Sequence, residues 1–197
     1  MHIKHMCAFS LLTALATASG VSAHTPYNQE HRSSLKVRSG AFFHTPQKFR
    51  KIYGVAGGCV EVEGAYATHA NFEAFGNLDY FIRQKGHSVG LKNPTDVQSF
   101  NFSFGVKVPY EVSRHIELYL GVGPSVGGIW IKNDSICGIE KVSQAIIGGV
   151  FKSGIYCNID SRWFVDFFGD YLYQPTKFST FADVGGFRLG AGFGGRF

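Results

Sequence analysis

The sequence has 197 residues, including 25 Gly, 19 Phe and 9 Tyr, and only 17% of its residues are charged. This composition excludes a helical bundle and a disordered chain, and it favours one all-β domain, since no linker or internal repeat divides the chain. The net charge of +5 is modest and no nucleic-acid-binding motif accompanies it, so we expect no nucleic-acid partner.

The first 23 residues have the pattern of a removable secretory signal peptide. A short cationic start precedes an apolar run from Cys7 to Ala18, and small residues follow at Val21-Ser22-Ala23. The run is shorter than the roughly 20 apolar residues that a membrane-spanning helix needs. Residues 24–33 are polar and aperiodic, and we expect them to form a flexible periplasmic segment before a domain at 34–197.

Eight segments alternate between apolar and polar residues, and this period of two predicts β-strands. The predicted strands are 34–43, 57–66, 72–83, 98–110, 116–131, 144–158, 162–173 and 184–197. Short connections alternate with long ones at 44–56, 84–97, 132–143 and 174–183. This alternation is typical of an up-and-down barrel with tight periplasmic turns and longer external loops. Proline disfavours strand interiors, so we expect a bulge or local break at Gly123-Pro124.

The two faces of the predicted strands differ in charge. One face of each strand is free of charged residues, as in Phe102, Phe104 and Val106 of the fourth strand. The opposite faces carry equal numbers of bases and acids. The bases are Lys36, Arg38, Arg83, Lys107, Lys152, Arg188 and Arg196, and the acids are Glu61, Glu63, Glu73, Asp79, Glu117, Asp166 and Asp170. Because an unpaired charge in low dielectric is costly, this balance predicts a paired polar network in a narrow lumen and a lipid-facing exterior. A soluble barrel with its apolar face inward is the alternative.

The last predicted strand ends on an aromatic residue, Phe197, and Phe193 lies on the same apolar face. This strand resembles the closing strand of bacterial outer-membrane barrels, whose aromatic C-terminal residue is the assembly signal for the barrel-insertion machinery. Aromatic residues near the strand ends form two bands, as expected at the two interfaces of a bilayer. In pattern and length the chain resembles the small eight-stranded outer-membrane proteins of the OmpX, OmpA-transmembrane and OmpW types. The resemblance implies an all-β antiparallel up-and-down transmembrane barrel in the bacterial outer membrane, surrounded by lipid and lipopolysaccharide.

The same resemblance implies a structural, adhesive or narrow-pore role. Side chains can fill the interior of an eight-stranded barrel, so we expect a plugged lumen, with a narrow channel for small solutes as the alternative. Basic residues of the first two long loops suit anionic groups of lipopolysaccharide or of host and envelope surface ligands. These residues are Lys48, Arg50, Lys51, Lys85, His87 and Lys92. No cofactor is expected, and no His or Cys spacing predicts a metal site.

A lipid A-modifying enzyme is the second alternative, since some small outer-membrane barrels use a Ser and a His near the outer rim. The candidate is Gly86-His87-Ser88, with Asp79 or Asp96 as an orienting carboxylate. Adjacent side chains on a strand point to opposite faces, so we expect no catalysis here.

Three cysteines remain after the predicted cleavage, an odd number for an oxidising compartment. Cys59 and Cys137 are both predicted near the outer rim, and Cys157 near the periplasmic end. Only the first two can pair, and the distance across the barrel decides whether they do.

Overall fold

A computed structural model describes residues 33–47, 50, 56–69, 72–87, 94–135, 138–176 and 183–197. Within these residues the strands are β1 (Ser33–His44), β2 (Ala56–His69), β3 (Phe72–His87), β4 (Pro94–Ser113), β5 (Ile116–Ser135), β6 (Gly138–Asn158), β7 (Trp163–Tyr173) and β8 (Gly186–Arg196). Each strand pairs antiparallel with its neighbours in the chain, and β8 pairs with β1, so the sheet closes. The predicted eight-stranded up-and-down barrel is confirmed. The predicted signal peptide and residues 24–32 lie outside the described residues, and Ser33 belongs to β1 rather than to the segment before the barrel.

The strands at the outer end are longer than predicted. β5 continues to Ser135 and pairs there with Gly138, the first residue of β6, so the predicted long loop 132–143 is wrong. β3 also continues to His87, which pairs with Pro94 of β4, and this shortens the predicted loop 84–97. The apolar alternation weakens where the strands leave the barrel wall, although backbone pairing continues. A prediction based on the apolar pattern therefore underestimates the length of these strands.

In place of the expected bulge at Gly123-Pro124, the structure has a short interruption of the pairing between β5 and β4. β5 pairs with β4 at Ser125–Ser103 and again at Val122–Val106, in the same register on both sides. On its other edge, Pro124 keeps its place opposite Gly149 of β6. The strand therefore continues through the proline without a shift of its inward and outward faces.

The apolar faces point away from the barrel interior. In β4, Phe102, Phe104 and Val106 are 39%, 49% and 48% exposed, whereas Ser103 and Lys107 on the opposite face are fully buried. The same alternation of exposed apolar and buried polar residues recurs in β1 and β7. The soluble alternative, with the apolar face inward, is therefore wrong.

Exposed aromatic residues lie near both ends of the wall. At the end with the short turns they are Tyr66, Phe72, Tyr110, Trp163 and Phe197, and at the other end Phe43, Tyr80, Phe100, Trp130, Tyr173 and Phe187. The chain ends close the barrel at the short-turn end, where the backbones of Ser33 and Phe197 exchange hydrogen bonds of 3.0 and 2.9 Å. Within the described residues, no helix is long and apolar enough to cross a membrane.

Inward-facing glycines let neighbouring strands approach closely. A Cβ atom on Gly123 would collide with the carbonyl oxygen of Phe104, and one on Gly105 with that of Val122. Gly40 and Gly190 form a similar contact where β1 meets β8. These positions require glycine because the paired backbones approach closely there, and they leave interior space for long side chains from the opposite wall.

One described turn has a well-defined charged cap. The Asp160 carboxylate accepts hydrogen bonds of 2.7 Å from the backbone N–H groups of Trp163 and Arg162, between β6 and β7. These hydrogen bonds favour the charged form and hold the pKa of the exposed Asp160 carboxyl below its usual value.

Candidate functional site

The barrel interior contains the predicted charged residues. Of the residues predicted to line the lumen, all except Glu73 and Arg83 are buried. The buried ones come from all eight strands of the described structure and contact each other across the barrel. We call this set the interior network; its members are Lys36, Arg38, Glu61, Glu63, Asp79, Lys107, Glu117, Lys152, Asp166, Asp170, Arg188 and Arg196.

The Glu63 carboxylate lies at the centre of the interior network. Lys107 and Lys36 lie 2.8 and 3.1 Å from its Oε1 atom, and Lys152 lies 2.6 Å from its Oε2 atom. All four side chains are at most 1% exposed. Since the lysines come from β1, β4 and β6, one carboxylate on β2 connects distant parts of the wall.

A second group of ion pairs lies toward the end with the longer connections. The Arg38 guanidinium lies 2.8 Å from Glu61, 3.0 Å from Asp170 and 3.1 Å from Asp166. It also stacks over the Phe168 ring, 3.7 Å from the ring centre. These contacts occupy both edges and one face of the arginine side chain.

Arg188 extends this group further outward. It lies 2.9 Å from Asp79 and 3.3 Å from Glu61, and Asp79 also accepts a hydrogen bond of 2.9 Å from Asn101. Asp79 is thus held inside the barrel by two partners. That position does not suit the role of an orienting carboxylate for an outer-rim catalytic pair.

Two tyrosines complete the network at the level of Glu63. Tyr119 and Tyr156 are buried and stacked, with ring centres 4.5 Å apart. The Tyr156 hydroxyl accepts hydrogen bonds from Lys36 at 2.8 Å and Lys107 at 2.9 Å, and the Tyr119 hydroxyl donates one to Asp166 at 2.9 Å. Neither tyrosine was predicted to belong to the lumen, although Tyr119 shares its face of β5 with Glu117.

The short-turn end has a separate pair. Arg196 lies 3.0 Å from Glu117 and donates a hydrogen bond of 2.8 Å to the Asn158 side chain. Two residues that were predicted to line the lumen, Glu73 and Arg83, do not belong to the interior network. Glu73 is 18% exposed and lies 3.1 Å from Lys107, and Arg83 is half-buried toward the outer end of β3.

The outer end of the lumen is apolar, which corrects the expectation of a polar interior throughout. Buried apolar residues fill the barrel above the interior network, and we call them the apolar cap. They are Phe42, Cys59, Phe81, Val97, Ile129, Ile131, Ile146, Leu172 and Val184. These side chains share strand faces with the charged residues, so alternation alone places them inward. These residues were not predicted to face inward, because their apolar character favours the lipid-facing side.

His44 lies within the apolar cap. Its Nδ1 atom is 3.0 Å from the Val184 carbonyl oxygen, and its ring packs edge-on against Phe42 and Phe81, with ring centres 4.6 and 5.1 Å away. His44 thus connects the β1 part of the apolar cap with β3 and with the segment before β8.

The predicted loop site is only partly described. Arg50 is exposed, and its backbone N–H donates a hydrogen bond of 3.0 Å to the Pro46 carbonyl oxygen. Lys85 and His87 belong to β3, while Lys48, Lys51 and Lys92 lie outside the described residues. The site formed by these six basic residues therefore stays a prediction. Ser88 of the candidate catalytic pair also lies outside the described residues, and Asp96 is half-buried in β4.

The two described cysteines lie at opposite ends of the barrel. Cys59 is a free thiol buried in the apolar cap, Cys157 is a free, half-buried thiol near the short turns, and Cys137 lies outside the described residues. Among the residues that can be described, no cluster of His, Cys, Asp or Glu could hold a metal ion.

The interior arrangement resists opening. Removing one partner of a buried ion pair costs about 3–5 kcal/mol, because the other charge is left without compensation. A hydrated ion crossing the lumen would have to separate several such pairs and also displace the apolar cap. The geometry therefore suits a closed barrel that presents its ends rather than its interior to other molecules.

No protein-family model matches the sequence, and a search of curated proteins finds no match. The fold, however, is shared with solved structures. Neisserial surface protein A has a TM-score of 0.60 at 14% identity, with 84% of this chain and 97% of that chain covered. The Yersinia pestis attachment invasion locus protein Ail has a TM-score of 0.55 at 16% identity, with 83% and 98% covered. The N-terminal β-barrel domain of Pseudomonas aeruginosa OprF has a TM-score of 0.55 at 15% identity, with 85% and 98% covered. The chain therefore has the fold of these small β-barrels.

Proposed function

We propose that this protein is an integral barrel of the bacterial outer membrane, with a closed lumen and a structural or surface-interaction role. The observation that carries the proposal is the combination of an exposed apolar wall with a buried, fully enclosed interior network. Lipid solvates such a wall, whereas water does not. The two bands of exposed aromatic rings suit the headgroup regions on either side.

The proposed membrane partners follow from the same surface. Outer-membrane lipid and lipopolysaccharide contact the apolar wall, and the barrel-insertion machinery recognises the closing strand through Phe193 and Phe197. Both rings lie on the outer face, 50% and 68% exposed, where another protein or lipid can reach them. Phe197 also pairs through its backbone with Ser33, so assembly at this residue and closure of the barrel are coupled.

The external ends supply the surface-interaction role. Ail is called an attachment invasion locus protein, and one of its structures is a complex with the heparin analogue sucrose octasulfate. That statement concerns Ail, but it supports the idea that a barrel of this fold can bind an anionic ligand. For this chain we propose that the basic residues of the first two loops contribute contacts to anionic surface ligands.

The location is tested by fractionating cells and comparing heated and unheated samples on a denaturing gel. We expect the protein in the outer-membrane fraction, with the unheated sample migrating differently from the heated one because the closed barrel stays folded. Recovery of the mature protein in a soluble fraction without detergent would contradict the proposal.

The closed lumen is tested by reconstituting the purified barrel in a planar bilayer. We expect no steady conductance, because the interior network and the apolar cap both block the path. Discrete openings that change when Glu61, Asp166 or Arg188 is substituted would instead support the narrow-channel alternative. An altered lipid A mass on overexpression would support the enzyme alternative.

A further inference from the structure

Three buried polar residues lie side by side on the inner face of the wall, outside the interior network. Asn77 of β3 pairs with Ser103 of β4, and Ser103 pairs with Ser125 of β5. The three residues are 1%, 0% and 0% exposed. None of them carries a charge, and we call them the neutral row.

The side chains of the neutral row have no hydrogen-bond partner among the residues that the structure describes. Neither the amide oxygen nor the amide nitrogen of Asn77 makes a hydrogen bond, and the hydroxyl groups of Ser103 and Ser125 make none. An asparagine amide and a serine hydroxyl can each both donate and accept. Because buried polar groups in folded proteins are nearly always hydrogen-bonded, three such neighbours indicate a bound ligand.

Other buried residues enclose the neutral row along the barrel axis. One inward position further out, Asp79 accepts a hydrogen bond from Asn101, and Asn101 contacts the Gln174 side chain. On the other side, Phe75 is the next inward residue of β3, and its ring centre lies 5.3 Å from the Lys152 Nζ atom. All five residues are buried. The ligand must therefore be small enough to fit inside the closed lumen.

Glycines leave room for a small ligand beside Ser125. The inward positions before and after it on β5 are Gly123 and Gly127, and its partner on β6 is Gly148. Ser103 likewise has Gly105 as one of its inward neighbours on β4. The Ser125 hydroxyl therefore has no side chain next to it along β5 or opposite it on β6. Internal water occupies sites of this kind, which combine polar groups with space.

We propose that the neutral row binds two water molecules, one between Asn77 and Ser103 and one between Ser103 and Ser125. Paired residues on neighbouring strands have Cβ atoms about 4.5–5.5 Å apart. A water molecule that hydrogen-bonds at about 2.8 Å on each side spans that separation. Each water then has two partners in the row, and the Ser103 hydroxyl is shared by both.

The charges around the row favour water over an ion. The interior network contains six basic and six acidic residues, so its formal charges already balance. Asp79, the next inward residue after Asn77, is paired with Arg188 at 2.9 Å. An added cation would be repelled by Arg188 and an added anion by Asp79. Water is neutral, and it donates and accepts hydrogen bonds as the amide and the hydroxyls do.

The direct test is a crystal structure of the full-length mature barrel at a resolution that shows bound water. We expect two density peaks, each within hydrogen-bond distance of two members of the neutral row. A site without density would overturn the proposal, and so would a peak with the short ligand distances of a metal ion. This measurement needs no variant, so it does not depend on whether a substituted barrel folds.

A second test measures urea unfolding of Ser103→Ala, which removes the hydroxyl that both waters share. We expect the urea midpoint to fall by roughly 0.3–1 M, since hydrogen bonds to both waters are lost. Without a ligand, removal of an unpaired buried hydroxyl should raise the midpoint instead. The control Ser39→Ala makes the same change at an exposed residue of β1 and should have little effect.

The salt in the unfolding assay separates water from a bound cation. We expect the same Ser103→Ala deficit in sodium chloride and in choline chloride. A deficit that requires sodium, or a higher midpoint for Ser103→Ala in either salt, would overturn the proposal. Heat-modified migration reports whether each variant is folded. None of these results depends on the proposed surface-interaction role, which is judged separately.

Discussion

Glu63→Gln removes the one negative charge that three buried lysines share. The structure gives Glu63 hydrogen bonds from Lys107 at 2.8 Å and Lys152 at 2.6 Å. A hydrogen bond to a charged group contributes roughly 1.5–3 kcal/mol, so two such bonds sum to about 3–6 kcal/mol. Breaking a buried ion pair costs about 3–5 kcal/mol. Since glutamine keeps the size of the side chain, we expect the free energy of unfolding to fall by about 3 kcal/mol.

The matched control is Glu73→Gln, which affects the same lysine. Glu73 lies 3.1 Å from Lys107 but is 18% exposed, so water compensates part of the lost contact. We expect a loss of about 1 kcal/mol or less. Urea unfolding of both variants in lipid vesicles, followed by the heat-modified gel band and tryptophan fluorescence, measures the difference. Equal destabilisation by the two substitutions would refute the reasoning that burial at the network centre sets the magnitude.

Three further predictions concern the wall, the cap and a turn. Gly123→Ala should destabilise the barrel by about 1–3 kcal/mol, because the new Cβ atom would collide with the Phe104 carbonyl oxygen. The control Gly76→Ala should have little effect in the same unfolding assay, because a Cβ atom at Gly76 has no neighbour within contact distance. Cys59, in a variant with the other cysteines replaced by serine, should resist a water-soluble maleimide until the barrel unfolds; rapid labelling of the folded protein would show that the apolar cap is open. Asp160→Ala should lower the urea midpoint of unfolding at pH 7. Because the pKa of the Asp160 carboxyl is lower in the folded state, this group stabilises the fold above its unfolded-state pKa and loses the effect as the pH falls through its folded-state pKa. Below that pH the substitution should have no effect, and an equal deficit at both pH values would contradict this account.

The alternation of apolar and polar residues was sufficient to predict the barrel, because each strand of a membrane barrel has one face toward lipid and one face toward the interior. Phe102 and Phe104 face outward and Ser103 lies between them, as the period of two requires. The same signal fails beyond the wall. Lys132 and Lys141 pair in the extended β5–β6 hairpin, where two polar residues face each other and no apolar alternation marks the strands.

The charged residues of the lumen could be predicted as a set, but their partners could not. Arg38 and Glu61 are cross-strand neighbours, whereas Lys152 reaches Glu61 from another part of the wall. That contact depends on the diameter and stagger of the closed sheet, which a sequence does not give without the register. The apolar cap was missed for a related reason: Phe42 and Ile129 face inward by position, although their apolar character favours the outside.

The central claim, that apolar residues face lipid and charged residues face a closed interior, is tested most directly with two single-tryptophan variants in which the native tryptophans are replaced by phenylalanine. Phe104→Trp places the probe at a residue that is 49% exposed on the outer face, and Phe164→Trp makes the same substitution at an interior residue that is 1% exposed. In vesicles of brominated lipid, we expect strong quenching of the fluorescence at position 104 and little at position 164. Strong quenching at 164 with none at 104 would show that the two faces are reversed.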